Sequence, residues 1–123
     1  MNTKKVLVER RQHHRIENNV PLKLSHEQGD AVTETFNLSR SGAYCQVQGY
    51  LEPMTKVKIQ FLLPVQKNGK VINKKLTCQG VVVRVEPAGK DNRFNLAIFF
   101  NDITPKNSES LAQYVEQVMR KNV

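Results

Sequence analysis

Apolar and polar residues alternate with a period of two along most of this chain. Val20, Leu22 and Leu24 alternate with Pro21 and Lys23, the pattern of a strand with one buried face. Pro21, which has no amide proton to give a neighbour, suits a strand start or an edge. A turn follows over residues 26–30, and a second strand is expected from Ala31 to Phe36. After the segment Asn37-Leu38-Ser39-Arg40-Ser41-Gly42, residues Ala43, Cys45 and Val47 face one way and Tyr44, Gln46 and Gln48 the other, so this segment connects two strands. Val57, Ile59, Phe61 and Leu63 alternate with Lys56, Lys58 and Gln60, and Pro64 is expected to end that strand. Asn68-Gly69 carries a two-residue hairpin signal. A long strand is expected from Leu76 to Val85, with Gly80 marking a bulge or bend. Beyond a turn at residues 87–92, Phe94, Leu96, Ile98 and Phe100 alternate with Asn95, Ala97 and Phe99.

The period then changes. Leu111, Val115, Val118 and Met119 fall on one stripe of a helix of about four turns. Thr104-Pro105 suits its cap and first turn, with Ser108 as a competing cap. Short strands with regular turns and one terminal helix predict an antiparallel barrel or curled sheet, whose closure removes exposed edges. A chain of 123 residues is one domain's worth. We divide it into an arm over 1–19, a β-barrel over 20–103 and a helix over 104–123. The arm is expected to be mobile, because after Met1 its only apolar residues are Val6-Leu7-Val8 and Ile16.

A formal charge of +8 directs the chain towards anionic partners: nucleic acid, nucleotides, an acidic protein face or a membrane surface. Cys45 and Cys78 lie in strand-like apolar runs as expected buried thiols, consistent with a reduced, cytoplasmic chain. The Val6-Leu7-Val8 run is far short of a signal-peptide core, and no stretch approaches membrane-spanning length. No nucleophile elbow or phosphate-loop sequence is present, so the expectation is a non-enzyme. His13 and His14 are adjacent and would point apart on a strand, so no metal set is expected. Lys67, Lys70, Lys74 and Lys75 read most simply as a solvated hairpin.

Two segments carry candidate chemistry. Arg10, Arg11 and Arg15 offer planar forks that grip phosphate oxygens in pairs and stack on bases, although a solvated arm paired with Glu9 and Glu17 is the simpler reading of that stretch alone. Asn37 can donate and accept at a purine edge, Ser39 offers a hydroxyl and a nearby amide to a phosphate, and Gly42 gives the backbone freedom at the turn. The same residue types also dominate ordinary loops.

In this order and separation, Arg11-Gln12-His13-His14-Arg15 and Asn37-Leu38-Ser39-Arg40-Ser41-Gly42 resemble the RxxxR and [D/N]xSxxG motifs of the PilZ domain family of cyclic diguanylate receptors. That resemblance implies a six-stranded antiparallel barrel with a carboxy-terminal helix. It also implies that Arg11 and Arg15 bind phosphates and guanines, that Asn37 bonds a guanine, that Ser39 contacts a phosphate and that Gly42 keeps the loop open. Arg10, directly before RxxxR, implies an intercalated pair of cyclic di-GMP molecules. No other cofactor is implied, and the output would pass to an unidentified downstream protein. Ala97 and Ser41 depart from the family by standing where many members have glycine. A small basic barrel binding RNA or single-stranded DNA is the rival, weakened by only eight aromatic residues and no stacking stripe.

Overall fold

Alternation over six segments gives six antiparallel strands: β1 (Pro21–His26), β2 (Gly29–Leu38), β3 (Gly42–Gln48), β4 (Lys56–Lys67), β5 (Lys70–Pro87) and β6 (Arg93–Asp102). One helix, α1 (Pro105–Lys121), follows them. The structure is a computed structural model that describes residues 14–121. The strands pair in the order β1-β2-β3-β6-β5-β4, and β4 pairs back to β1, so the sheet closes into the expected barrel. Inward positions form one core that includes Leu24, Leu38, Ile59, Phe61, Leu63, Leu96 and Val82, each all but inaccessible to solvent. The Phe61 and Phe100 rings meet edge to face, 5.7 Å between centroids.

Pro64 does not end β4. The strand runs on to Lys67 and pairs with β5 from Lys70, so the hairpin is longer at both ends than alternation predicts. Lys67 and Lys70 flank the two-residue turn and form a hydrogen-bonded pair, so by alternation Pro64 and Asn73 form a non-bonded one. The missing Pro64 amide therefore faces away from β5, beyond the Leu22↔Phe61 pair where the register of β1 with β4 stops. The turn follows the Asn-Gly signal, with φ of 54° at Asn68 and 75° at Gly69. The bulge expected at Gly80 is present: the β5–β6 register shifts between Gln79 and Val81, and a Cβ on Gly80 would lie 2.7 Å from Ile98 Cγ2.

Thr104 is the helix cap, its Oγ1 accepting the Asn107 amide at 3.2 Å. The buried stripe includes Leu111 and Val115 as predicted, and also Tyr114, whose hydroxyl accepts a bond from Asn18 Nδ2. Asn107 Nδ2 donates to the Thr77 carbonyl and Lys74 Nζ to Ser110 Oγ, which fastens α1 along β5. No helix among the described residues is long and apolar enough to cross a membrane.

Residues 14–20 hold to the barrel more closely than their polar composition suggests. Ile16 is buried and exchanges two backbone bonds of 3.0 Å with Leu38. The fully buried Thr35 hydroxyl accepts the Val20 amide at 3.0 Å and donates to the Asn18 carbonyl at 2.6 Å.

Burial pushes the Cys45 thiol up to about 12; burial, then the Asp102 carboxylate, does the same to Cys78. At pH 8 both thiols are expected to resist a thiol-specific chromogenic reagent in the folded protein and to react at once in denaturant. Rapid native reaction would contradict the burial. Replacing Phe61 with alanine should cost about 3–5 kcal/mol of unfolding free energy in a urea titration, and a loss under 1 kcal/mol would contradict its place in the core.

Candidate functional site

The bridge between Ile16 and Leu38 sets the geometry of the candidate site. Ile16 points into the core, so its neighbour Arg15 points outwards, and Asn37 beside Leu38 does the same. The two meet: Arg15 Nη1 donates to Asn37 Oδ1 at 2.9 Å. Residues separated by 22 positions, from the two halves of the suspected motif, thus touch on the outer wall of the barrel.

Strand register extends this wall. Asn37 lies opposite Tyr44, Tyr44 opposite Ala97, and Ala97 opposite Arg84, so one outward row crosses β2, β3, β6 and β5. Three strand spacings make that row about 14 Å long. Its middle is shallow because Ala97 is small. Tyr44 packs its ring against Phe36, with centroids 6.1 Å apart, and donates its hydroxyl to Glu86 Oε1 at 3.2 Å. Desolvation and the Glu86 carboxylate raise the Tyr44 pKa above its usual value, so the hydroxyl remains a donor at neutral pH. Arg84 Nη1 lies 3.9 Å from the same carboxylate. Alternation placed Tyr44 on the outer face but assigned it no role, and Arg84 was not singled out. Only register across four strands, which local sequence does not encode, brings them into line with Asn37.

The loop between β2 and β3 is built around Ser39, which is fully buried. Its Oγ accepts the amides of Ser41 at 3.1 Å and Gly42 at 3.2 Å and lies 3.1 Å from Ser41 Oγ. The Ser39 amide in turn donates to the Gly42 carbonyl at 2.9 Å. Gly42 is needed for a different reason from the backbone freedom suggested by sequence. Its φ is not positive, but a Cβ there would lie 2.5 Å from the Ile98 carbonyl oxygen on β6, so the β3 backbone can approach only as glycine.

The sequence-derived site residues therefore divide. Arg15, Asn37, Ser39 and Gly42 lie at one end of the barrel, with the first two in contact; Arg10 and Arg11 lie outside the described residues, as does His13. His14 is exposed, and among the described residues no group of three His, Cys, Asp or Glu side chains could hold a metal ion.

The model of the PilZ domain matches residues 9–117, a span that contains both motifs and the whole barrel. The chain belongs to the PilZ domain family. Solved structures agree on the fold. The inhibitor of motility MotI/DgrA from Bacillus subtilis superposes with a TM-score of 0.78 at 16% identity, over 90% of this chain and 52% of its own. This chain thus spans about half the length of that protein. The PilZ domain of YcgR from Escherichia coli, solved with c-di-GMP, gives 0.65 at 13% identity, covering 92% of this chain and 94% of its own. The PilZ domain of CeSA from a cellulose-synthesizing bacterium gives 0.58 at 19% identity, covering 86% and 98%. Among curated proteins, none matches the chain significantly by sequence.

Replacing Ser39 with alanine leaves the Ser41 and Gly42 amides without their acceptor in a buried loop, and is expected to cost about 1–3 kcal/mol in urea unfolding. Gly42→Ala should destabilise by a similar amount or more, because the opposing atom belongs to backbone that side-chain motion cannot move aside. Wild-type stability in either variant would contradict this account of the loop.

Proposed function

We propose that this PilZ domain is a cyclic diguanylate receptor that acts as an adaptor and not as an enzyme. The observation that carries the reading is the 2.9 Å bond between Arg15 and Asn37, which joins the RxxxR segment to the [D/N]xSxxG loop on one outer wall. Family membership and the c-di-GMP complex of the YcgR domain support the choice of ligand. The nucleic-acid alternative finds no support in the family match or in these structural neighbours.

In this reading Arg11 and Arg15 hold phosphates and guanines, and Asn37 bonds a guanine edge, with Arg15 exchanging its bond to Asn37 for bonds to the ligand. Ser39 shapes the loop, and a direct phosphate contact would require its hydroxyl to turn away from Ser41. Gly42 lets β3 approach β6 beneath the loop. Charge-assisted bonds to the phosphates offset the conformational entropy lost as the arginine arm is ordered over the barrel. The ordered arm changes the surface presented to a downstream protein and so converts ligand concentration into output. Arg10 favours an intercalated pair of ligands.

Calorimetry with cyclic diguanylate tests this directly. The wild type is expected to release heat on binding, and Arg15→Ala to weaken affinity by roughly tenfold to a hundredfold, the range for losing bonds to a charged group. No heat from the wild type, or equal affinity in the variant, would contradict the receptor reading. Arg10→Leu is expected to lower the stoichiometry from two ligands to one; an unchanged value would contradict the role given to Arg10.

A further inference from the structure

The β4–β5 hairpin projects past the barrel at the end that carries the β2–β3 loop, opposite the turn between β1 and β2. The β1 register with β4 stops at Phe61, and that of β6 with β5 begins at Gln79, so residues 62–75 extend beyond both pairings as a two-stranded ribbon. Its base is braced by the bond between Lys74 and Ser110 on α1. The ribbon exposes aliphatic side chains: towards its tip Val71 is 64% accessible and Ile72 46%, and at its base Leu62 is 44% accessible. The wall beside it continues this character, with Val32 81% accessible next to an apolar groove of about 350 Å³ lined by Pro21, Leu62 and Lys75.

Charge follows the same surface. Between Glu52 and Glu86 the sequence has no acidic residue, and the hairpin carries Lys67, Lys70, Lys74 and Lys75. Among the described residues, Lys67, Lys70 and Lys75 form no ion pair. We propose that this hairpin docks on an anionic lipid membrane, with Val71 and Ile72 entering the headgroup boundary and the lysines resting among the phosphates. Lysine suits such a surface, since its aliphatic stem lies along apolar contacts while its ammonium reaches the headgroups. A polyanionic nucleic acid is the poorer fit, because residues 62–75 contain neither an aromatic ring nor an arginine to stack on bases.

Co-sedimentation of the full chain with vesicles tests the proposal. Binding is expected to vesicles of 30% phosphatidylglycerol in phosphatidylcholine and not to pure phosphatidylcholine. Lys67→Gln with Lys70→Gln should reduce partitioning at least tenfold, in line with the contribution of each lysine near an anionic surface. Val71→Ser with Ile72→Ser, which keeps every charge, should also reduce it. All four positions are exposed, so each double variant should melt at the wild-type temperature, which controls for folding. Absence of binding to the anionic vesicles, or equal binding by both double variants, would overturn the proposal. So would a hairpin-dependent affinity for a single-stranded oligonucleotide with vesicle binding unaltered.

Discussion

Pairing of β1 with β4 is the constraint on which the rest of the structure depends. A six-stranded sheet left open would expose two edges; joining β1 to β4 removes both and forces every strand to send alternate residues into one shared core. Once the inward set is fixed, the outward set is fixed too. Asn37, Tyr44 and Ala97 share a wall because their neighbours Leu38, Cys45 and Ile98 belong to the core, and the register shift between Val82 and Arg84 brings Arg84 onto the same wall although Val82 is buried. The candidate site is a consequence of closure, since no pocket had to be hollowed out to create it.

A second, smaller constraint attaches the arginine segment to that wall. Ile16 is one apolar residue in a polar stretch, yet burying it and pairing it with Leu38 determines which way Arg15 points. Thr35 reinforces the attachment by satisfying the backbone of Asn18 and Val20 within a region closed to water. The loop follows the same logic: Ser39 uses its hydroxyl to hold two amides, so the shape of residues 39–42 is maintained by buried polar bonds and a missing Cβ.

Much of this was legible in the sequence, for identifiable reasons. Alternation placed β3 and β6 with the correct faces, the Asn-Gly pair located its hairpin, and the change of period found α1. The two motifs pointed to the family. What local sequence could not supply was register. It misjudged Pro64, whose tolerance depends on which side of β4 lacks a partner, and it left Tyr114 out of the helix stripe because a tyrosine hydroxyl reads as polar until Asn18 is seen to meet it. It valued Gly42 for freedom when the requirement is contact with β6. It also treated Ile16 as part of a segment without a core, although a single aliphatic residue next to Arg15 was the available signal.

The central claim is that Arg15, the Asn37 to Gly42 loop and the wall through Tyr44 and Ala97 form one cyclic diguanylate surface. The most direct measurement is a backbone amide chemical-shift titration of the labelled protein with that ligand. The account predicts that the largest changes cluster at Arg15, at residues 37–42 and at Tyr44, Ala97 and Arg84, while the turn at 26–29 on the opposite end of the barrel stays still. Changes concentrated at that opposite end, or none at saturating ligand, would contradict it.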